Sequence, residues 1–375
     1  MKFTCLITYN QTKKILLFRD FNVEDKYVRI AYQIESELRR MRAEGVRKLP
    51  TEEELCGTYS CSRQTIRSAL EMLVDKGLIV KKRGSGSYIS DDTNKLQNTI
   101  VFITDNKYEY VNPDFICQLK QALKKNRFEL ICFDTKSSFT KEKETFEKVL
   151  SICPAAVIIE PVSNILPNPN LSLIEDMNNK GIPVIYLYSA YPSPTGAICI
   201  EEDDRKGAMK LVSHLKEKGH DKTGCIFRCD DSRGLARYKG YIEACKEFGM
   251  RFDEHNAFFY TIRDRKKLIS GDDEMLIRFI SEKDPECTAV VCQNDAVAFR
   301  LIRVLEKRGI SVPKDMAVVS FENSYYSKGS ADITSLGHSE KELALLTADA
   351  VIAAIEHKIM RPEPVKWNLH IRTSG

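Results

Sequence analysis

Two arginines and a glutamine at the start of a predicted helix could form hydrogen bonds with the polar edge of a planar group. Arg63 and Arg67 are four residues apart and Gln64 lies between them, so all three can point outward from one end of the helix. Guanidinium and carboxamide groups form paired hydrogen bonds with the edges of nucleic-acid bases. Arginine pairs on helices are usually part of a solvated surface, so this interpretation depends on the surrounding elements.

A second group of candidate residues consists of polar side chains that follow short apolar runs. Because the carboxyl ends of parallel strands meet at one edge of a sheet, these side chains would surround a common cleft. Carboxylates, amides and an arginine suit a small polyhydroxylated ligand such as a sugar. Any single one of them is more typical of an ordinary strand end or helix N-cap. The group is Asp105, Glu160, Tyr188, Asp230, Arg237, Asn294, Glu322 and His338.

The elements that would position the first group lie within residues 25–90. Apolar residues recur at helix spacing over 27–41. The sequence at 49–54, Leu-Pro-Thr-Glu-Glu-Glu, predicts a capping box that starts a short second helix, and Ser62 suits the N-cap of a third. Residues 78–89 predict a β-hairpin with a basic arm and a Gly-Ser-Gly tip. Together these elements predict a winged helix-turn-helix, which is a DNA-binding arrangement.

The same residues carry a family resemblance. The stretch LPTEEELCGTYSCSRQTIRSALEMLVDKGLIVKKRGSGSYI resembles the GntR-type winged helix-turn-helix. The resemblance implies a recognition helix in the major groove, a hairpin tip in the minor groove, a basic arm on the phosphates, and dimers on near-palindromic operators. The residues that we assign to DNA contact are Thr51, Glu53, Ser62, Arg63, Gln64, Thr65, Arg67, Lys81, Lys82, Arg83, Gly84, Ser85 and Gly86.

The charge distribution agrees with a DNA-binding front part. Residues 25–90 carry 13 basic and 9 acidic side chains, whereas residues 91–375 carry 40 basic and 42 acidic ones. No apolar run approaches the roughly 18–20 residues needed to span a bilayer, and none near the start resembles a signal-peptide core. We therefore expect a cytoplasmic protein.

The cysteines do not indicate a metal centre. There are twelve, and none forms a Cys-x-x-Cys pair. In a chain of 375 residues this pattern predicts reduced thiols that serve as small apolar side chains. We expect neither a metal nor a cofactor.

The chain beyond the front part shows a regular alternation. Residues 1–24 match no recognisable element, and 91–98 are polar and predict a linker. From 99 to 375, eight short β-rich runs alternate with amphipathic helical stretches, with a break near 190–200. Continuous apolar strands between helices predict parallel sheets that are covered on both faces, here as two doubly wound subdomains.

This long part also resembles a family. The segments IEEDDRKGAMKLVSHLKEKGHDKTGCIF, TAVVCQNDAVAFRLIRVLEKRGISVPKDMAVVSFENS and ITSLGHSEKELALLTADAVIAAI are similar to LacI/GalR-type effector domains. The resemblance implies a two-lobed, periplasmic-binding-protein-like domain that senses a sugar and dimerises. It implies that Arg237, Asn294 and Glu322 hold sugar hydroxyls, with His338 at the final crossover. Glu322-Asn323 departs from the commoner Asp-Asp of the family.

The combination of the two parts narrows the expected effector. A GntR-type head on a LacI-type effector domain resembles the arabinose repressors, which makes L-arabinose the first candidate and adds Glu160 to the implied pocket. The residues themselves indicate only a polyhydroxylated ligand. Another pentose, a nucleoside or a purine stays open as the effector.

Two other classes of protein fit less well. A solute-binding protein for uptake would share the two lobes, but it would need a secretory signal and would have no helix-turn-helix head. An enzyme would need a phosphate loop, a metal cluster or a poised nucleophile, and the sequence has neither a Gly-rich strand-to-helix turn nor a Gly-x-Ser-x-Gly elbow. The sequence therefore predicts a regulator rather than an enzyme.

Overall fold

The structure, a computed structural model, describes residues 23–43, 45–75, 78–82, 84–90, 98–105, 112–192, 197–329 and 331–375. The described residues up to Ser90 belong to one compact unit, and Asn98–Gly375 form a second. The unassigned tail over residues 1–22, the linker over 91–97 and the predicted phosphate contact Arg83 lie outside the described residues.

The first unit contains three helices followed by a hairpin. Thr51 and Glu54 form a reciprocal capping box at the start of the second helix, and that helix ends at Ser60 in the left-handed conformation. Apolar side chains of all three helices meet in one core with both hairpin strands. The elements are α1 (Val23–Ala43), α2 (Glu52–Tyr59), α3 (Arg63–Asp75), β1 (Ile79–Lys82) and β2 (Gly86–Ile89). The predicted winged helix-turn-helix is confirmed.

The second unit begins with alternating strands and helices. These elements, in chain order, are β3 (Thr99–Thr104), α4 (Asn112–Lys125), β4 (Glu129–Asp134), α5 (Phe139–Ile152), β5 (Ala156–Ile159), α6 (Leu171–Asn179), β6 (Val184–Tyr188), β7 (Ile198–Glu201), α7 (Asp204–Glu217), β8 (Thr223–Arg228) and α8 (Ser232–Glu247). After a 3-10 turn at Glu254–Asn256 come β9 (Ala257–Tyr260), α9 (Ile262–Ile269), α10 (Glu274–Glu282), β10 (Ala289–Cys292), α11 (Asp295–Lys307), β11 (Ala317–Phe321), α12 (Tyr325–Lys328), β12 (Thr334–Gly337), α13 (Glu340–Ile355) and β13 (Asn368–His370).

Two sheets divide this unit into two lobes. The first lobe has a parallel sheet in the order β4-β3-β5-β6-β7. The second lobe has the order β13-β12-β11-β10-β8-β9, in which β13 alone among these strands runs antiparallel to its neighbour. The predicted pair of parallel, doubly wound sheets is confirmed. The sequence analysis did not predict the edge strands β9 and β13.

Three chain crossovers join the lobes. The first follows β7 at Glu202, and the second follows β12 at His338, where the chain returns to the first lobe as α13. The third lies between α13 and β13, and there Val365 exchanges backbone hydrogen bonds with Glu201 and Asp203. His338 is therefore at the second crossover, not at the final one as expected, because the unpredicted β13 carries the chain back once more.

Each lobe has its own apolar core. In the first lobe, α13 packs on α4 and the sheet, and Leu343 and Ala348 lie among strand residues such as Phe102. In the second lobe, Trp367 packs edge-on against Phe321, with ring centroids 5.5 Å apart. Each lobe is therefore packed around apolar residues of its own.

Candidate ligand cavity and nucleic-acid interface

A polar cavity lies between the two lobes, and residues from both of them line it. Six of the eight predicted ligand-binding residues are in its wall. They are Asp105, Glu160, Tyr188, Asn294, Glu322 and His338. The structure thus brings together side chains that are as far as 233 positions apart in the sequence, at the carboxyl ends of strands, as expected for open parallel sheets.

The other two predicted residues, Asp230 and Arg237, lie outside the cavity lining. Arg237 has an exposed fraction of 1% and donates from Nε to the buried Asp204 carboxylate at 2.8 Å. Its guanidinium also stacks 4.0 Å from the Phe321 ring centroid. Asp230 accepts from Arg228 Nε at 2.6 Å and from the Ile262 backbone N–H at 2.9 Å. Both side chains are used for contacts within the second lobe.

Several lining residues were missed by the sequence analysis. Arg228 and Tyr260 are the last residues of β8 and β9, and Arg265 is on α9, which follows the unpredicted β9. Glu202 begins the first crossover. Arg233 could have been identified from the sequence, because it lies four residues before the predicted ligand-binding residue Arg237 and therefore on the same side of an amphipathic helix.

Unusual backbone geometry marks three residues at strand ends by the cavity. Tyr188 has φ 68°, Glu322 φ 97° and Asn323 φ 44°, all in a region that residues with a side chain rarely adopt. The Tyr188 ring stacks 4.7 Å from the Arg233 guanidinium, across the cleft. Such strain persists only where surrounding contacts hold it, and it is typical of binding sites.

A buried carboxylate holds the turn that carries Glu322. Asp295 accepts hydrogen bonds from Ser335 Oγ at 2.6 Å and from Ser324 N and Oγ at 2.6 and 2.8 Å. These bonds fix the ends of β11 and β12. Glu322 is thereby aimed at Asn294, whose Nδ2 is 3.5 Å from Glu322 Oε1.

A charged cluster joins the first two crossovers at the base of the cavity. Glu202 and His338 are hydrogen-bonded at 2.7 Å, and Arg233 donates to the other oxygen of Glu202 at 2.7 Å. Burial raises the pKa of the Glu202 carboxyl, but Arg233 and His338 together bring that pKa below its usual value. Burial lowers the pKa of His338, and the bond to Glu202 overcomes this and raises it. Glu202 is therefore a carboxylate, able to accept hydrogen bonds from a ligand.

The predicted recognition residues lie on the exposed surface of the first unit. Ser62 Oγ accepts from the Thr65 backbone N–H at 3.2 Å and caps α3. Arg67 donates from Nε to Glu52 at 2.9 Å, and Arg63 lies 3.4 Å from Glu53. The arginines are therefore held at the start of α3, on the side of α2.

One basic side chain of the hairpin, Lys82, lies beside a tyrosine. Lys82 pairs with Gly86 across the two strands, and Gly84 and Gly86 have φ values of 74° and 106°, which suit glycine. Lys82 Nζ lies 4.8 Å from the Tyr88 ring centroid, and the Tyr88 hydroxyl is 2.6 Å from Ser85 Oγ. Tyr88 was not predicted. It fixes the tip that the resemblance places in the minor groove.

The two units match two family models. Residues 26–89 match the bacterial regulatory proteins of the gntR family, and residues 212–374 match the periplasmic binding protein-like domain. The chain is therefore a transcriptional regulator that joins a GntR-family winged helix-turn-helix to a LacI-like, two-lobed effector domain. No described helix is long and apolar enough to cross a membrane, and no group of three or more His, Cys, Asp or Glu side chains within the described ranges could hold a metal ion.

Two known repressors are similar to this chain along most of its length. The arabinose metabolism transcriptional repressor of Halalkalibacterium halodurans is 29% identical over 348 residues, which cover 90% of this chain and 91% of that protein. The repressor of the same name from Geobacillus stearothermophilus is 28% identical, with 92% and 97% covered. These names imply a DNA-binding rather than a catalytic role.

A solved structure supports the fold of the second unit. It is a periplasmic binding protein/LacI transcriptional regulator from Alkaliphilus metalliredigens complexed with D-xylulofuranose. Its TM-score is 0.61 at 19% identity, and the match covers 74% of this chain and 98% of that one.

Proposed function

We propose that this regulator represses sugar-utilisation genes and releases its operator when a small neutral sugar, with L-arabinose as the first candidate, binds between the lobes. The observation that carries the proposal is the cavity itself, in which hydrogen-bonding groups of both lobes and of two crossovers converge. A ligand that bonds to both lobes stabilises the closed state. It must favour that state over the DNA-bound one for any release to follow.

The charges around the cavity favour an uncharged ligand. Five carboxylates and three guanidiniums line it, and each guanidinium has a carboxylate partner: Arg228 with Asp230, Arg233 with Glu202, and Arg265 with Asp105. A phosphate or carboxylate group would meet more carboxylates than guanidiniums among the lining residues. Hydroxyl groups can donate to carboxylates and accept from guanidiniums, so a polyol suits the lining.

The names of the two relatives support arabinose as the sugar. Another pentose, a nucleoside or a purine is the alternative effector, and the Tyr188–Arg233 stack could support a flat base. A solute-binding role is the less favoured alternative, because the first unit has an operator-binding architecture. We further propose that the regulator acts as a cytoplasmic homodimer on near-palindromic DNA, since two heads would then read two half-sites.

A panel of ligands tests the sensor role. The thermal midpoint of the full chain should rise with L-arabinose by mass action, and less or not at all with hexoses, sugar phosphates and purines. A rise with a purine or a sugar phosphate instead would overturn the sugar assignment. The absence of a rise with every compound would contradict the sensor role and leave the DNA-binding role intact.

Replacing Glu322 with alanine should weaken L-arabinose binding roughly 10- to 100-fold, the effect of losing hydrogen bonds to a charged group. Operator affinity without sugar should stay unchanged, because Glu322 lies in the second unit. Isothermal titration measures the first quantity and fluorescence anisotropy of labelled operator the second. Glu282→Ala at the exposed end of α10 is the control. Equal sugar affinities of wild type and Glu322→Ala would remove Glu322 from the site.

A further inference from the structure

The two lobes are held together by contacts that lie outside the crossovers. One set joins the loop after β5 to the start of α8: Ser163 Oγ donates to the Asp230 carbonyl at 2.7 Å, and the Ser232 backbone N–H donates to Asn164 Oδ1 at 2.9 Å. Arg228 Nη2 also donates to the Val162 carbonyl at 2.6 Å. The cleft is therefore closed in this structure.

A further contact is charged on both sides of the cleft. Arg265 on α9 of the second lobe forms an ion pair with Asp105, which follows β3 of the first lobe, and it also donates to Ser137 Oγ at 3.0 Å. The exposed fractions of the Arg265 and Asp105 side chains are 12% and 7%. A pair shielded from water to this extent is much less screened than one on the surface.

The position of Arg265 is fixed by the start of its helix. Thr261 and Asp264 form a capping box at the N-terminus of α9. The Ile262 backbone N–H donates to Asp230 at 2.9 Å, and Asp230 is itself bonded to Arg228. Since α9 is attached to β8 in this way, Arg265 moves with the second lobe and loses Asp105 when the cleft opens.

Asp105 belongs to the cavity wall, and Arg265 bonds to only one of its two carboxylate oxygens. Asp105 Oδ1 is buried and has no hydrogen-bond partner among the described residues. A buried acceptor without a partner is costly, and a ligand hydroxyl can supply the missing donor. One carboxylate thus serves Arg265 with one oxygen and can serve a ligand with the other.

We propose that Arg265 is a positioning residue that favours the closed cleft and couples ligand binding to closure through Asp105. This proposal depends on the proposed function for the identity of the ligand, whereas the role of Arg265 in closing the cleft does not depend on it. Arg265 holds the Asp105 carboxylate in place in the closed state, so a ligand hydroxyl meets a preorganised acceptor. Without Arg265 the open state gains population, and the ligand must close the lobes at the expense of its affinity.

Hydrogen exchange of the full chain without ligand, measured by mass spectrometry, tests whether Arg265 favours the closed cleft. In Arg265→Met, peptides that contain Ser232 should exchange about 10-fold faster or more than in wild type, because the amide of Ser232 is protected across the cleft. Peptides from β8 should be unchanged. Arg263→Met is the matched control, since Arg263 is exposed on the same helix. Unchanged exchange at Ser232 in Arg265→Met, or the same increase in Arg263→Met, would overturn the proposal.

The ligand part uses L-arabinose as the probe. Arg265→Met should weaken its binding about 10- to 100-fold in isothermal titration, and Arg265→Lys, which keeps the charge, should restore most of the affinity and most of the protection at Ser232. A failure of wild type to bind L-arabinose would count against the proposed function alone, because the exchange result does not depend on a ligand. Wild-type affinity in Arg265→Met would overturn the coupling.

Discussion

Replacing Arg237 with methionine is expected to destabilise the second unit by about 3–5 kcal/mol, because the change leaves a buried carboxylate without its partner. Asp204 has an exposed fraction of 4% and accepts from Arg237 Nε at 2.8 Å. Burial raises the pKa of Asp204, whereas Arg237 lowers it. Loss of Arg237 would raise that pKa further. In the wild type this pKa is about 6, and in the folded variant the proton would be held more tightly still, so the stability deficit of the variant should grow as the pH rises above about 6.

Urea unfolding followed by tryptophan fluorescence measures this effect in the second unit alone, because Trp367 is the single tryptophan of the chain. Arg205→Met is the control: Arg205 is half exposed in its pair with Glu243, so its loss should cost no more than about 1 kcal/mol. A stable Arg237→Met variant with lost sugar affinity would contradict the structural role. It would instead support the ligand contact that the family resemblance implies.

Replacing Arg67 with alanine is expected to weaken specific operator binding by about 1–3 kcal/mol, or roughly 5- to 150-fold, the range for one lost bidentate base contact. Arg67 is exposed at the start of α3 and held by Glu52 at 2.9 Å. Binding to unrelated DNA should fall much less, since that binding depends on phosphate contacts.

Anisotropy at a fixed salt concentration, with operator selected from a random pool and with scrambled DNA, separates the two effects. Arg67→Lys is the informative comparison because it keeps the charge and loses the paired geometry. Similar losses on both DNAs in Arg67→Ala would show that Arg67 contacts phosphate rather than a base. L-arabinose binding should be the same in all three proteins.

The sequence by itself determined those features that depend on neighbouring residues. The Thr51–Glu54 capping box and the glycines of the hairpin tip are local, since each needs only residues within a few positions. The parallel strands were predictable because a strand buried on both faces must be apolar throughout, as 99–104 is. The polar residues that follow such strands could be expected at one sheet edge, and six of them line the cavity.

Only the tertiary structure decided what each polar side chain contacts. Arg233 and Arg237 lie one turn apart on α8, yet Arg233 lines the cavity and Arg237 is buried against Asp204, 33 residues away on α7. The close approach of these helices depends on Gly240, where a Cβ would lie 2.1 Å from the Arg205 carbonyl oxygen. Arg265 meets Asp105 only because β9 carries α9 to the cleft. Such pairings are set by how helices and lobes pack over long sequence separations, and neither spacing nor composition encodes them.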